Sequence, residues 1–267
     1  MSSLFESIKV INTVDSLAEK DTIIHRIHPL AKMITTMIYI IITVSVDKYN
    51  INNLLALFLY PIIMLQILKI PKMYILKRIL LVLPFSIMAG VFNIFLDRES
   101  AVEIMNISIS YGVISFTSLL LKTVLTVISV IILVSTTSMN KIFNELQRLK
   151  VPNIIITQFM FTYKYISLVI SEGKNMYLSY NLRKGEEKGI HIKHIGMFLG
   201  QLLLRCFDRA ERIYLAMKCR GYDGSNIFCS KDKIKAIDIM YIVSLSIIFG
   251  ILGFLNIFEI IGRVLGA

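Results

Sequence analysis

What most constrains this chain is a set of apolar runs matched to the thickness of a bilayer. Four come early, over residues 31–46, 51–70, 79–95 and 112–134, and a fifth covers 237–261. Each approaches the roughly 20 helical residues that cross about 30 Å of hydrocarbon. At 55% hydrophobic residues and a mean hydropathy of +0.70, the chain is too apolar for a soluble domain with a largely polar surface. The expected fold class is an all-α integral membrane protein with about five transmembrane helices and a cytoplasmic domain of amphipathic helices. Glu6, Asp15, Glu19 and Asp21 precede any long apolar run, unlike a cleavable signal peptide, so insertion is expected to begin at the first span.

Charge sets the topology. The formal net charge of +11 falls between the apolar runs, as membrane orientation requires, and no nucleic-acid motif accompanies it. Residues 153–170 are apolar enough to tempt a sixth span. If they crossed, Lys174, Arg183, Lys184 and Lys188 would lie outside, against the preference for basic connections in the cytoplasm, and Lys164 would enter the bilayer. Five spans place the N-terminus and the loop with Lys69, Lys72, Lys77 and Arg78 in the cytoplasm. The loop with Asp97, Glu99 and Glu103 and the C-terminus are then external. The expected organisation is 1–135 for an N-terminal amphipathic segment and four spans, 136–236 for the cytoplasmic helices, and 237–267 for the last span. Ser16 and Glu19 have capping-box spacing for a short helix, Pro29 suits the first turn of the opening span, and Pro152 marks a new helix. Ile142, Phe143, Leu146 and Leu149 share one face of an amphipathic helix over 140–150.

The cytoplasmic segment holds the candidate functional residues. Over 196–220 the sequence predicts a helix of about 25 residues, or about 37 Å. Leu199, Leu203, Cys206, Ala210, Ile213 and Met217 form a narrow seam at four-three spacing, expected to pack along another helix, with Asp208 and Arg212 paired off it. The helix should stop at Gly221, because glycine takes the left-handed conformation without steric cost, leaving Arg220 in the last turn. A second helix from Asn153 through Leu182 carries Arg183 just before Gly185. One such arginine merely complements a helix dipole. Two matched ends suit docking to two similar protein grooves, because guanidinium offers a rigid fork of donors.

At these residues the chain resembles the transmembrane (T) component of energy-coupling factor transporters, most closely the Q-subunit family of the cobalt and nickel branch. The resemblance spans nearly the whole chain. It rests on Asp15-Ser16-Leu17-Ala18, the run from His25 through Pro29 to Lys32, Thr136-Thr137, the run from Leu146 to Pro152, and Tyr163-Lys164-Tyr165-Ile166. Its most specific parts are Leu182-Arg183-Lys184-Gly185 and the run from Ala216 through Arg220-Gly221 to Tyr222. The first departs from the commoner Ala-Arg-Gly spelling. The resemblance implies two coupling helices that dock on two cytoplasmic ATPase subunits, with Arg183, Gly185, Arg220 and Gly221 as docking residues. Small Ser179 and Ala216 would permit close helix approach, beside Leu203, Ala210, Ile213 and Met217 as packing residues. It further implies a non-catalytic subunit in the cell membrane that works against a separate, metal-specific capture subunit and needs no cofactor.

Other candidates carry blander readings. His25 and His28, and again His191 and His194, have i,i+3 spacing but lack a neighbouring third ligand, so no metal site is assigned. Cys206, Cys219 and Cys229 lack paired zinc spacing and are expected to be reduced. Gly196 and Gly200 could mark close helix packing or merely a turn. Lys231, Asp232, Lys233 and Lys235 are an orientation signal that could also meet acidic lipid. The thirteen methionines could ease sliding against a moving partner. No phosphate-binding Gly-x-x-x-x-Gly-Lys-[Ser/Thr] loop is present, consistent with ATP hydrolysis by partners. The rivals are a shared T component for vitamins, a lipid-modifying enzyme, and a self-contained transporter or channel. The enzyme would need more than the isolated Glu186-Glu187 pair. The last would show ionisable or broken positions within its spans. Pro61 and Pro84 interrupt two of them, but no acidic residue lies deep in the first four.

Overall fold

The computed structural model describes residues 22, 24–68, 70–96, 100–104, 107–184, 191–224 and 234–254. The capping box at Ser16 and Glu19 lies outside them. The chain divides into two compact units, Val14–Met139 with Asp232–Ala267, and Met1–Thr13 with Asn140–Lys231. In the first, here called the membrane unit, α1 (Pro29–Ser45) is followed by α2 (Ile51–Leu57), α3 (Leu59–Leu68) and α4 (Lys72–Leu96). A two-stranded antiparallel hairpin, β1 (Ser100–Ile104) and β2 (Ile107–Ser110), leads into α5 (Tyr111–Thr136), and α9 (Ala236–Phe254) closes the unit. The second unit holds α6 (Met139–Arg148), α7 (Asn153–Lys184) and α8 (Ile192–Cys219).

The protein is all-α in class, and among the described residues five helical stretches are long and apolar enough to cross a membrane: Ile51–Leu68, Met73–Asn93, Tyr111–Thr136, Asn153–Arg183 and Ala236–Phe254. That set differs from the expected one at two places. Helix α1 has 17 residues, about 25 Å, short of the hydrocarbon thickness by a turn. Helix α7 qualifies because its first half is rich in apolar residues and carries a single charge, Lys164. Packing separates the two. Helix α1 lies in the membrane unit against α5 and α9, with Ala31 and Tyr39 buried, whereas α7 belongs to the other unit.

The core of the membrane unit is built on Tyr39 of α1, Tyr60 of α3 and Phe249 of α9. Their ring centroids lie 5.0, 5.0 and 4.8 Å apart, in tilted and edge-to-face arrangements that suit the ring quadrupoles. Leu54, Leu57, Leu125, Ile128 and Ile132 join them in the same buried cluster. Close backbone approach completes the packing. A Cβ on Gly253 would lie 2.5 Å from Cγ2 of Ile42, and one on Gly90 would meet the Phe116 ring at 2.5 Å.

The two prolines behave differently. Pro61 cannot donate to the carbonyl of Leu57, four residues back, and the helix breaks at Phe58 between α2 and α3. The Tyr39 hydroxyl donates to that Leu57 carbonyl at 3.1 Å, so no acceptor is wasted in the apolar core. Pro84, expected to interrupt its span, instead lies inside an α4 that runs continuously through 25 residues. The hairpin replaces what the sequence reading left as a connecting loop. Val102, Ile104, Ile107 and Ile109 alternate along it, and β-branched residues at that period favour strands.

At one end of the membrane unit, polar groups tie three helices together. Asp238 is 4% exposed, and its carboxylate accepts from the backbone N–H of His28 at 2.9 Å and of Lys235 at 2.8 Å. His28 caps α1, its Nδ1 accepting from the Leu30 N–H at 3.2 Å, and Pro29 occupies the first turn as its fixed φ favours. Lys32, also buried, donates to the carbonyl of Thr136 at 3.0 Å and so holds the last turn of α5. Near the opposite end, Lys122 of α5 donates to the carbonyls of Val44 and Val46, where α1 ends.

Candidate functional site

The second unit is a pair of long helices with a short one packed on it. Helix α6 ends in a six-to-one turn, with the Val151 N–H donating to the Leu146 carbonyl and that of Lys150 to Gln147. Lys150 takes the left-handed conformation there, with φ of 64°. Pro152 then starts α7, its carbonyl accepting from the N–H groups of Ile155 and Ile156. Phe143 of α6 stacks on Phe159 of α7 at 6.1 Å and meets Tyr163 edge-on at 6.2 Å, so the amphipathic face of α6 is turned to α7.

Helices α7 and α8 run antiparallel. Tyr180 lies 6.3 Å from His194 at one end, and Phe161 lies 6.3 Å from Tyr222 at the other. Between these, Arg205 donates to Glu172 at 3.0 Å and Arg209 lies 3.6 Å from the other oxygen of the same carboxylate. Beside that ionic bracket, Gly173 leaves room for the Leu202 side chain, which an added Cβ would touch at 3.7 Å. Histidines 191 and 194 therefore face a tyrosine and each other, with centroids 6.1 Å apart. Among the described residues no group of three His, Cys, Asp or Glu side chains could hold a metal.

Helix α8 extends a turn further at its start than the sequence implied, and it ends where the glycine signal put it. Arg220 is the C-cap, and Gly221 has φ of +85°. The Tyr222 N–H donates to the Met217 carbonyl at 3.0 Å and the Gly221 N–H to that of Lys218 at 3.0 Å, the paired bonds of a left-handed helix terminus. Arg220 and Gly221 are exposed, as is Arg183 in the last turn of α7; Gly185 lies outside the described residues. Because the helices are antiparallel, the two arginines sit at opposite ends of the pair. Counting along α7 from the level of Phe161, beside Tyr222, to Arg183 gives 22 residues, or about 33 Å.

The seam on α8 does not make the close helix pair its spacing implied. Cys206, Ile213 and Met217 are half-buried, whereas Leu199, Leu203, Ala210 and Ala216 are exposed, as is Ser179 on α7. Leu203, Cys206, Ala210, Ile213 and Met217 instead line one wall of an apolar groove of about 640 Å³, with Phe161, Tyr165 and Leu168 opposite. The physical reason is at Gly173 and Glu172: midway along the pair the helices meet through Leu202 and the arginines, off the seam. Gly196 and Gly200 are exposed with no atom within 4 Å of an added Cβ, so they mark no close approach here. Sequence reasoning also passed over Glu172, Asp238 and Lys122. A charge with no neighbour of opposite sign in sequence was the available signal for Lys122, which stands alone in an otherwise uncharged α5.

Comparison with known proteins adds a family. Residues 20–229 match the family described as CbiQ, cobalt transport protein. An uncharacterized protein of Methanocaldococcus jannaschii is 27% identical over 242 residues, covering 86% of this chain and 82% of the relative. Two proteins named energy-coupling factor transporter transmembrane protein EcfT are also similar. That of Ruminiclostridium cellulolyticum is 24% identical over 228 residues, covering 80% of this chain and 84% of its own, and that of Bacillus subtilis is 22% identical over 256 residues, covering 88% and 94%.

Proposed function

Given that the chain belongs to the CbiQ family of cobalt transport proteins, we propose that it is the T component of an energy-coupling factor importer, converting the motion of two partner ATPases into movement of a separate metal-capture subunit in the same membrane. The substrate class in this reading is a divalent transition-metal cation, Co²⁺ or Ni²⁺. The chain itself is non-catalytic. The observation that carries the reading is the antiparallel α7–α8 pair with one exposed arginine at each end, Arg183 and Arg220. Two like grooves about 30 Å apart, one on each ATPase, would be met by one such platform. Each arginine offers a fork of donors to carboxylates and backbone carbonyls, and each lies where a helix dipole already favours positive charge.

In this reading α6–α8 face the cytoplasm, and the bilayer is crossed by α1, α2 with α3, α4, α5 and α9. The membership of α1 in the membrane unit and of α7 in the other supports this count. The N-terminus is then cytoplasmic and the hairpin external, with basic connections inside. The domain limits proposed are 1–135, 136–236 and 237–267. The groove along Leu203, Ala210, Ile213 and Met217 belongs to the moving part of the platform, and Ser179 and Ala216 leave space beside the tips.

A second reading, a T component shared among several capture proteins including those for vitamins, draws support from the general energy-coupling name borne by two of the similar proteins. Purification from native membranes separates the two: one metal-specific capture subunit in the first case, several in the second. The docking assignment is tested by Arg220→Glu. Charge reversal at an interface places repulsion where acceptors expect a donor, and ATPase copurification should fall at least about tenfold, with the chain still folded. Undiminished copurification would overturn it.

A further inference from the structure

Lys122 is the lone charge in the α5 sequence, eleven residues in, and most of the α5 residues beside it in the cleft are polar. Ser115, Ser118, Lys122 and Thr126 recur at helical spacing and line a cleft of about 270 Å³, which Asn93 of α4 and Lys48 beyond α1 also border. None of the lining residues is acidic. Asp47 is close enough to act on the Lys122 charge, so the two lysines leave the cleft with a net positive balance.

The donors of Lys122 and Ser118 are only partly used. An ammonium has three N–H bonds, and the Val44 and Val46 carbonyls take two from Lys122. Asn93 donates to the Ser115 hydroxyl at 3.2 Å. Ser118 is 1% exposed, and among the described residues its hydroxyl has no hydrogen-bond partner, an unusual state for a buried polar atom. Lys48 lies over the Tyr49 ring at 4.8 Å, and Tyr49 meets Tyr111 edge-on at 5.0 Å. Paired tyrosines beside the ends of spanning helices belong to the headgroup level of a bilayer.

We propose that this cleft binds the phosphodiester headgroup of an anionic phospholipid, with the Lys122 and Lys48 ammoniums toward the phosphate oxygens and the Ser118 hydroxyl as a further donor. The site stands on the membrane unit alone and does not depend on the coupling role. Lys122, held against the end of α1, supplies a fixed positive charge in the wall of the cleft. Lys48, on the chain just outside the span, closes over the anion from the water side.

The test uses the full-length chain in nanodiscs and reads retained lipid by native mass spectrometry after exchange into detergent. Phosphatidylglycerol should be retained over phosphatidylcholine. Lys48→Gln should cut that retention about fivefold, the effect of one lysine on an anionic lipid. Ser118→Ala should lower it too while leaving the lysines in place, and inorganic phosphate should not displace the lipid. Lys122→Arg should keep the preference, because it preserves the charge. Equal retention of the two lipids, or unchanged retention in both Lys48→Gln and Ser118→Ala, would overturn the proposal. Displacement by inorganic phosphate alone would reassign the cleft to the free anion and equally overturn the lipid assignment.

Discussion

The two units spend their apolar residues in opposite ways. In the membrane unit Tyr39 and Phe249 are fully buried, and Tyr60 nearly so, although the helices around them also turn Leu81, Phe85 and Phe92 outward to lipid. In the α7–α8 pair, Leu203, Leu204, Phe207 and Leu215 are each more than half exposed, and neither helix buries a comparable aromatic cluster. A bilayer-spanning bundle has no gain from burying one more leucine against protein rather than lipid, so its core is specified by shape, small residues and polar pins. In the proposed cytoplasmic placement a helical platform has every incentive to cover such residues, and leaving them open fits the proposal that partners complete the surface. On that proposal the difference separates a self-contained scaffold from a part whose structure is finished by association.

That contrast is breakable by substitution, and the largest effect should come from its most buried ring. Phe249→Ala removes the contacts with Tyr39 and Tyr60, and a buried Phe→Ala change costs about 3–5 kcal/mol, to be read as thermal destabilisation in detergent. The matched change Phe207→Ala, on a residue 65% exposed, should shift stability by less than about 0.5 kcal/mol. Similar losses at the two sites would erase the distinction. A smaller effect is expected at Gly253, where a methyl group would meet Ile42 at 2.5 Å. Gly253→Ala should cost about 1–3 kcal/mol by overpacking, whereas Gly200→Ala in open space should be neutral or slightly stabilising. The smallest concerns the bracket on the open side. Glu172→Gln removes a carboxylate shared by two half-exposed arginines, and such ion pairs are worth about 0.2–1 kcal/mol. The measurable consequence is a changed distance between spin labels at positions 183 and 220. A fixed distance would deny Glu172 any part in setting the pair.

Local chemistry was the most legible level of this sequence. Gly221 after Arg220 announced the end of α8, and Pro29 the start of α1, because each residue's backbone preference acts alone. Relations between elements were not so legible. The four-three seam on α8 has the period of a packed pair, but periodicity cannot say what covers it, and one glycine with one carboxylate on α7 moved the contact elsewhere. Pro84 looked like a break and lies in a continuous helix, whereas Pro61, read the same way, does break its span at Phe58; the Tyr39 hydroxyl that satisfies the freed Leu57 carbonyl is 18 residues away and was not legible. Asp238 was hidden for the same reason: its partner His28 is 210 residues distant. For the proposed docking site, the two arginines were visible in the sequence as residues, but their placement at opposite ends needed the antiparallel contacts of Phe161 and Tyr180.

Those contacts have a mechanical corollary. Taking Gly173 and Leu202 as a fulcrum, the arm to Arg183 is ten residues, about 15 Å, and the arm to Arg220 is eighteen, about 27 Å. Pivoting α8 there by about ten degrees sweeps Arg220 through about 5 Å, whereas pivoting α7 by the same angle sweeps Arg183 through only about 3 Å, so a pair pinned off-centre at a glycine gives its two tips unequal strokes.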